Sequence, residues 1–330
     1  MDREKLSIRL VRTRGKAVSV LLSPVVKLMS SRGVSLNSVN YDETEPDCNA
    51  FELYPQDGKQ QKKPVLIYLH GGGWVQGSNR DRNHYCSRFA ARGFYVLNMN
   101  YRLAPDSKHP EQVRDVFRAI SYIYKIKDEY NLDMDNVFLG GDSAGAHLAV
   151  LAAGVVTNPR LFDEFKINFE YREQFKVKGL LLICGVFDYL SCKDSRKVWY
   201  LHLIPLYLKS YSGHDLGEVE DLEALCRTQE IMDMCPVTMV SKDYPPSLLI
   251  TGDNDPLKPS TELFYEELVK KGVRVRIYRG TGIFSIHCFP LVDGNTNGKA
   301  AMKETLEFFD ERLAATDKET EAEIETELAK

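Results

Sequence analysis

From Pro64 onward, short apolar runs alternate with longer amphipathic ones, and few architectures accommodate that order. A short apolar run bounded by turn residues reads as a strand buried on both faces, and a helix between successive runs lets neighbouring strands lie parallel. Strands are expected at 65–69, 94–98, 137–139, 179–184, 246–251 and 273–279, with helices at 110–130, 261–271 and 299–313. In the first of these helices Val113, Phe117, Ile120, Ile123 and Tyr124 form one apolar stripe. The expected fold is α/β, a mostly parallel central sheet with helices on both faces.

The pattern breaks twice. Residues 41–63 hold Pro46, Pro55, Gly58 and a polar run, with one apolar piece at Phe51-Glu52-Leu53-Tyr54, which suggests a small edge hairpin entering the sheet. After the strand at 179–184 the chain to Lys242 looks helical but irregular, and an unbroken loop of that length is out of place in a compact domain. A helical insertion is expected at 189–242. It divides an α/β core into 46–188 and 243–313, followed by an acidic tail at 314–330 that is frayed or disordered.

Ahead of the core, basic residues from Arg3 to Lys16 precede an apolar stretch at 17–29, as in a secretory signal. Pro24 and Lys27 interrupt it and no small-residue cleavage site follows, so an amphipathic helix is expected instead. No stretch approaches the apolar length of a membrane span, so no stable membrane anchor is expected. The seven cysteines are odd in number, scattered and without a C-x-x-C pair, which points to free thiols in a reducing, cytoplasmic compartment. With 43 basic and 47 acidic residues the net charge is -4, too weak a field to attract phosphate backbones, and no nucleic-acid partner is expected.

The residues that carry chemistry stand at strand ends. Gly141-Asp142-Ser143-Ala144-Gly145 follows one predicted strand and opens a helix, the context in which a sharp turn projects a serine hydroxyl beyond a sheet edge. His70-Gly71-Gly72-Gly73-Trp74 follows another. Three consecutive glycines let main-chain N–H groups converge on one point, as an oxyanion forming in acyl transfer requires; Gly72 and Gly73, with the amide of Ala144, are the expected oxyanion hole. A serine nucleophile needs a histidine base and a carboxylate to orient it. Among the histidines, His287 follows the last strand of the sheet at the edge that carries Ser143. For the acid, Gly252-Asp253-Asn254-Asp255-Pro256-Leu257 offers two residues after the strand at 246–251; Asp255 is preferred, Asp253 competes, and Asp188 is a distant third. Asp142 is expected to shape the elbow rather than act on protons.

Together the H-G-G-G of 70–73, the G-D-S-A-G of 141–145, Tyr101-Arg102-Leu103-Ala104-Pro105 and Asp255-Pro256-Leu257 resemble the hormone-sensitive-lipase-like carboxylesterases of the α/β-hydrolase superfamily. The resemblance covers about 60–313. It implies a Ser143, Asp255, His287 triad, no metal or organic cofactor, and a helical cap built from residues 1–45 and the insertion at 189–242. It also points to homodimers that pair through the edge strand or last helix. One departure concerns the base: the family places its histidine three residues after a glycine and follows it with Gly-Phe, whereas here Gly280 is seven residues before His287 and Cys288-Phe289 follow.

The cap sequence from Val198 to Leu208 is rich in aromatic and aliphatic residues. With Trp74 and Trp199 it either lines an apolar acyl pocket or packs the cap onto the core. The activity expected is a serine carboxylesterase for short to medium acyl esters, with a small-molecule ester as partner. An amidase or arylformamidase on the same triad, or a non-catalytic ligand-binding member of the fold, are the alternatives.

Overall fold

The computed structural model describes residues 33–56, 61–191, 204–213 and 228–315. Its strands are β1 (Val34–Asn40), β2 (Asn49–Pro55), β3 (Lys63–Leu69), β4 (Tyr95–Met99), β5 (Leu132–Asp142), β6 (Gly179–Ile183), β7 (Ser247–Gly252) and β8 (Val275–Gly280). They form one eight-stranded sheet in the order β1-β2-β4-β3-β5-β6-β7-β8. The first three neighbours in that order, β1, β2 and β4, pair antiparallel, and every later pair is parallel.

The helices are α1 (Asn83–Ala90), α2 (Glu111–Tyr130), α3 (Ala144–Thr157), α4 (Arg160–Glu164), α5 (Ile204–Ser212), α6 (Gln229–Met232), α7 (Lys258–Lys270) and α8 (Thr296–Ala314). Strand β3 shows why the sheet needs cover on both sides. Val65, Ile67 and Leu69 enter one buried cluster with residues of α2 and α3, whereas Leu66 and Tyr68 enter a second with residues of α1 and α8. All five are 0% exposed. Alternate side chains of a strand point to opposite faces, so a continuous apolar run is stable only when sandwiched, each fully buried aliphatic contributing roughly 1.5–3 kcal/mol. Helix α3 is buried from Ala144 to Val155, which explains its alanine-rich sequence: small residues let it lie close under the parallel strands.

The expected strands and the long helices recur with shifts of a few residues at their ends. The hairpin is larger than expected, because Val34–Asn40 is a strand and the sheet begins ahead of the boundary placed at residue 46. The described part of 189–242 includes α5 and α6; the rest of the expected insertion at 192–203 and 214–227, the segment 1–32 and the tail beyond residue 315 lie outside the described residues. Among the described residues no helix is long and apolar enough to cross a membrane.

This order brings the carboxyl ends of β3, β5, β6, β7 and β8 side by side. Strand order reverses at β3, with β4 on one side and β5 on the other, the place where open α/β sheets form a crevice. The glycine turn leaves β3, Ser143 leaves β5, Cys184 leaves β6, Asp255 follows β7 and His287 follows β8.

Candidate active site

Ser143 sits between β5 and α3 with φ +52 and ψ -118, a strained conformation for a side-chain-bearing residue. Its amide donates to the Ile183 carbonyl at 2.8 Å, and the flanking glycines permit the turn. A Cβ on Gly145 would stand 2.1 Å from the Leu69 carbonyl oxygen, so any side chain there would push the elbow off the end of β3.

Asp255 is buried and fully engaged. Its Oδ1 accepts from His287 Nδ1 at 2.8 Å and from the Leu257 amide at 3.1 Å, and its Oδ2 accepts from the Thr251 hydroxyl at 3.1 Å. Burial favours the neutral acid, but the charge and hydrogen bond of His287, with the other donors, more than offset it and hold the carboxyl below its ordinary range. Asp253, the competing acid, is exposed. It pairs with Lys258 at 3.0 Å and accepts from the Gly282 amide at 3.2 Å, so it anchors the loop that carries the histidine rather than the histidine itself. Asp188 closes its own turn, accepting from the Ser191 amide at 2.6 Å.

In the neutral imidazole the bond to Asp255 places the proton on His287 Nδ1 and the lone pair on Nε2. No hydrogen bond joins Ser143 Oγ to His287 among the described residues. Burial lowers the imidazole pKa, but the adjoining Cys288 sulfur and the Asp255 carboxylate outweigh it and raise the pKa above the ordinary value. The longer loop before His287 is ordered by Ser285, whose carbonyl accepts from the Asn254 amide at 3.0 Å and whose hydroxyl accepts from Asn297 at 2.7 Å. Cys288 has φ +57, a left-handed conformation at the position that the resembling family fills with glycine.

The glycine turn stands opposite. Gly72 has φ +131, and a Cβ there would lie 2.1 Å from the Gln76 carbonyl oxygen. The Gly72 carbonyl accepts from the amides of Val75 and Gln76 at 3.3 and 3.1 Å, closing the turn. Among the described residues no main-chain bond is donated by the amides of Gly72 or Gly73 outside regular structure. Ala144 is the first residue of α3, where an amide has no partner within its helix and the helix dipole favours negative charge.

The other described histidines are occupied elsewhere. His70 bonds the Gly71 carbonyl at 2.8 Å and stacks on Tyr101, whose hydroxyl donates to the His70 carbonyl at 2.8 Å. His109 meets the Tyr211 hydroxyl at 2.9 Å, and His84 meets Asp293 at 3.0 Å. His147 accepts from Trp74 Nε1 at 3.3 Å and reaches the Met234 carbonyl at 2.9 Å. Trp74, expected as a pocket residue, is only 2% exposed and stacks on Tyr211 at 4.6 Å, a packing role between the core and α5. Trp199 lies outside the described residues.

Two features had no motif. Tyr207, from α5, covers the glycine turn so closely that a Cβ on Gly73 would fall 2.4 Å from its Cδ2. Arg82 reaches the elbow, with Nε and Nη2 donating to the two oxygens of Asp142 at 2.8 and 2.7 Å. The apolar cap run contained Tyr207; nothing local in the sequence linked Arg82 to Asp142.

The family model described as BD-FAE matches residues 51–268. A protein of Mycobacterium tuberculosis (strain ATCC 25618 / H37Rv) named "Probable carboxylic ester hydrolase LipM" is 29% identical over 232 residues, covering 69% of this chain and 50% of that protein. An acetyl esterase of Salmonella choleraesuis (strain SC-B67) is 27% identical over 234 residues, covering 68% of this chain and 65% of its own. The chain therefore spans half to two thirds of the length of these relatives. Among solved structures, esterase B from Lactobacillus Rhamnosis (HN001) superposes with a TM-score of 0.78 at 24% identity, covering 94% of this chain and 96% of that one. A bacterial heroin esterase gives 0.74 at 25% identity, with 91% of each chain covered.

Proposed function

The chain belongs to the BD-FAE family and has the α/β-hydrolase fold, and on that premise we propose that it is a serine carboxylesterase whose nucleophile is Ser143. One observation carries the reading: His287 is held by Asp255 at 2.8 Å through Nδ1, at the same sheet edge as the serine elbow and the glycine turn. A buried carboxylate that fixes the tautomer makes the remaining nitrogen a base.

In this reading Ser143 Oγ attacks the ester carbonyl carbon as His287 Nε2 takes the hydroxyl proton. A hydrogen bond of this kind often tightens only once substrate is bound. Negative charge develops on the former carbonyl oxygen and meets the amides of Gly72, Gly73 and Ala144, where each preorganised donor is worth roughly 2.7–4 kcal/mol. His287 returns the proton to the departing alcohol. Water then attacks the acyl-enzyme, again giving its proton to His287, and the acid leaves as Ser143 is reprotonated.

Short to medium acyl groups fit this site best, because the Tyr207 ring closes the space above Gly73, and a similar protein is named an acetyl esterase. The free cysteines Cys48, Cys86, Cys184, Cys235 and Cys288 support a reducing compartment. The test is turnover of p-nitrophenyl acetate and butyrate together with fluorophosphonate labelling. The wild-type chain should hydrolyse both esters and take the label, and Ser143→Ala should do neither; a Ser143→Ala variant as active as wild type would overturn the assignment.

A further inference from the structure

We propose that Cys184, Cys288 and His287 form a site for a thiophilic divalent cation, Zn2+, and that an ion seated there switches the histidine out of the ester reaction. One ligand atom from each residue lies within 4.8 Å of the other two. The three come from two strand ends far apart in sequence: Cys184 is the first residue beyond β6, and the other two follow β8. The Cys288 amide donates to Cys184 Sγ at 3.2 Å, so the turn that carries the histidine rests on that sulfur.

The backbone at both cysteines is unusual. Cys184 has φ +49 and Cys288 φ +57, left-handed conformations in which a residue with a Cβ is disfavoured. Such outliers persist where surrounding structure holds them in place, and they concentrate at functional positions. Here two of them aim sulfurs at one imidazole.

The donor set suits zinc. Zn2+ prefers thiolate and imidazole, takes them tetrahedrally at about 2.3 and 2.0–2.1 Å, and tolerates three protein ligands with a fourth position open to water. Tetrahedral angles at those lengths set neighbouring donor atoms about 3.5–3.8 Å apart, so the cluster closes by about an ångström at most. Cys184 is buried, whereas Cys288 and His287 are partly exposed, which gives the ion a path from solvent. Binding releases two protons to water, one from the Cys184 thiol and one held by the Cys288–His287 pair, and leaves two thiolates and the histidine lone pair to bond the metal.

Inhibition follows from either ring nitrogen. Coordination through Nδ1 displaces the hydrogen bond to Asp255; coordination through Nε2 consumes the lone pair that accepts the serine proton. This half of the inference rests on the proposed esterase reading, whereas binding itself does not, and the experiment separates them.

The reduced, desalted full chain is titrated with Co2+ and followed by thiolate-to-metal charge-transfer absorption, then back-titrated with Zn2+. The expected result is a band that saturates at one equivalent, is displaced by Zn2+, and is lost in Cys184→Ala and in Cys288→Ala. The second variant changes a partly exposed side chain, and circular dichroism shows whether each remains folded. In parallel, Zn2+ should suppress p-nitrophenyl acetate turnover by more than about tenfold, EDTA should restore it, and each variant, measured against its own basal rate, should resist. No charge-transfer band, or equal zinc sensitivity in the variants, overturns the site. Loss of activity that dithiothreitol reverses but EDTA does not would mean oxidation of the two thiols and would equally overturn it. A band without ester turnover would sink the esterase reading and leave the metal site standing.

Discussion

Asp142 receives Nε and Nη2 of Arg82 at 2.8 and 2.7 Å, a bidentate pair in which the carboxylate is 1% exposed. The same carboxylate accepts from the Gly71 amide at 3.1 Å and from the Tyr68 hydroxyl at 3.2 Å. One side chain thus joins the elbow that presents Ser143 to the turn that presents Gly72 and Gly73. Burial alone would neutralise the acid; Arg82 outweighs that and keeps it ionised.

Arg82→Met should therefore cost more than a surface change. It leaves an uncompensated buried carboxylate, a defect worth about 3–5 kcal/mol, measurable as a lower urea midpoint. Asp142→Asn added to it should recover part of that stability, since an amide needs no counter-charge. A single Arg82→Met variant as stable as wild type would show that the pair contributes nothing.

The two candidate acids separate cleanly. Asp255→Asn should lower kcat on p-nitrophenyl butyrate by about 10³–10⁴, because the tautomer of His287 is no longer fixed. Asp253→Asn should change it by less than about tenfold, since that residue only holds Gly282 and Lys258 on the loop. The reverse ranking would reassign the acid.

How much of this was readable follows from range. The strands of the sheet core and the glycine and serine motifs announce themselves within a few residues, and their order on the chain placed the site at one sheet edge. Strand β1 gave little signal because it is an edge strand with mixed exposure, its sequence Val-Ser-Leu-Asn-Ser-Val-Asn showing weak alternation. Helix α1 is too short for periodicity to stand out, although Tyr85, Cys86, Phe89 and Ala90 do share its buried face. Arg82 and Asp142, or Cys184 and Cys288, meet only after the sheet has assembled, and no local pattern encodes a contact across 60 or 104 residues.

Three histidines that burial holds neutral, His70, His109 and His147, weaken the fold in acid. His70 and His147 are 1% and 0% exposed, and burial is the main cause that pushes their pKa values down to about 4 and about 3. His147 has a further reason to stay neutral, since its Nδ1 accepts from Trp74. Unfolding restores a pKa of about 6.5, so the unfolded chain binds the extra protons. Stability is then full above that value and falls as pH drops from it toward 4, by on the order of 1 kcal/mol per pH unit for each histidine. Urea unfolding between pH 7 and 4.5 should show the decline, and His147→Gln should flatten it while lowering the pH 7 value. An unchanged slope in that variant would remove His147 from the account.

Tyr207 is expected to limit which acyl group the proposed site accepts. Its Cδ2 stands 2.4 Å from where a Cβ on Gly73 would be, with Gln76 Nε2 reaching its hydroxyl at 3.5 Å, so it forms a wall over one of the proposed oxyanion donors. Tyr207→Ala removes that wall without touching Ser143, Asp255 or His287. Longer chains gain contacts in the space it vacates, each buried methylene being worth about 0.8 kcal/mol, whereas acetate gains none. Across p-nitrophenyl acetate, butyrate and octanoate, the variant should shift kcat/KM toward octanoate by roughly tenfold or more relative to acetate, as a gain of two methylenes implies. A uniform fall across the series would instead mean that Tyr207 supports the glycine turn and leaves selectivity to other residues.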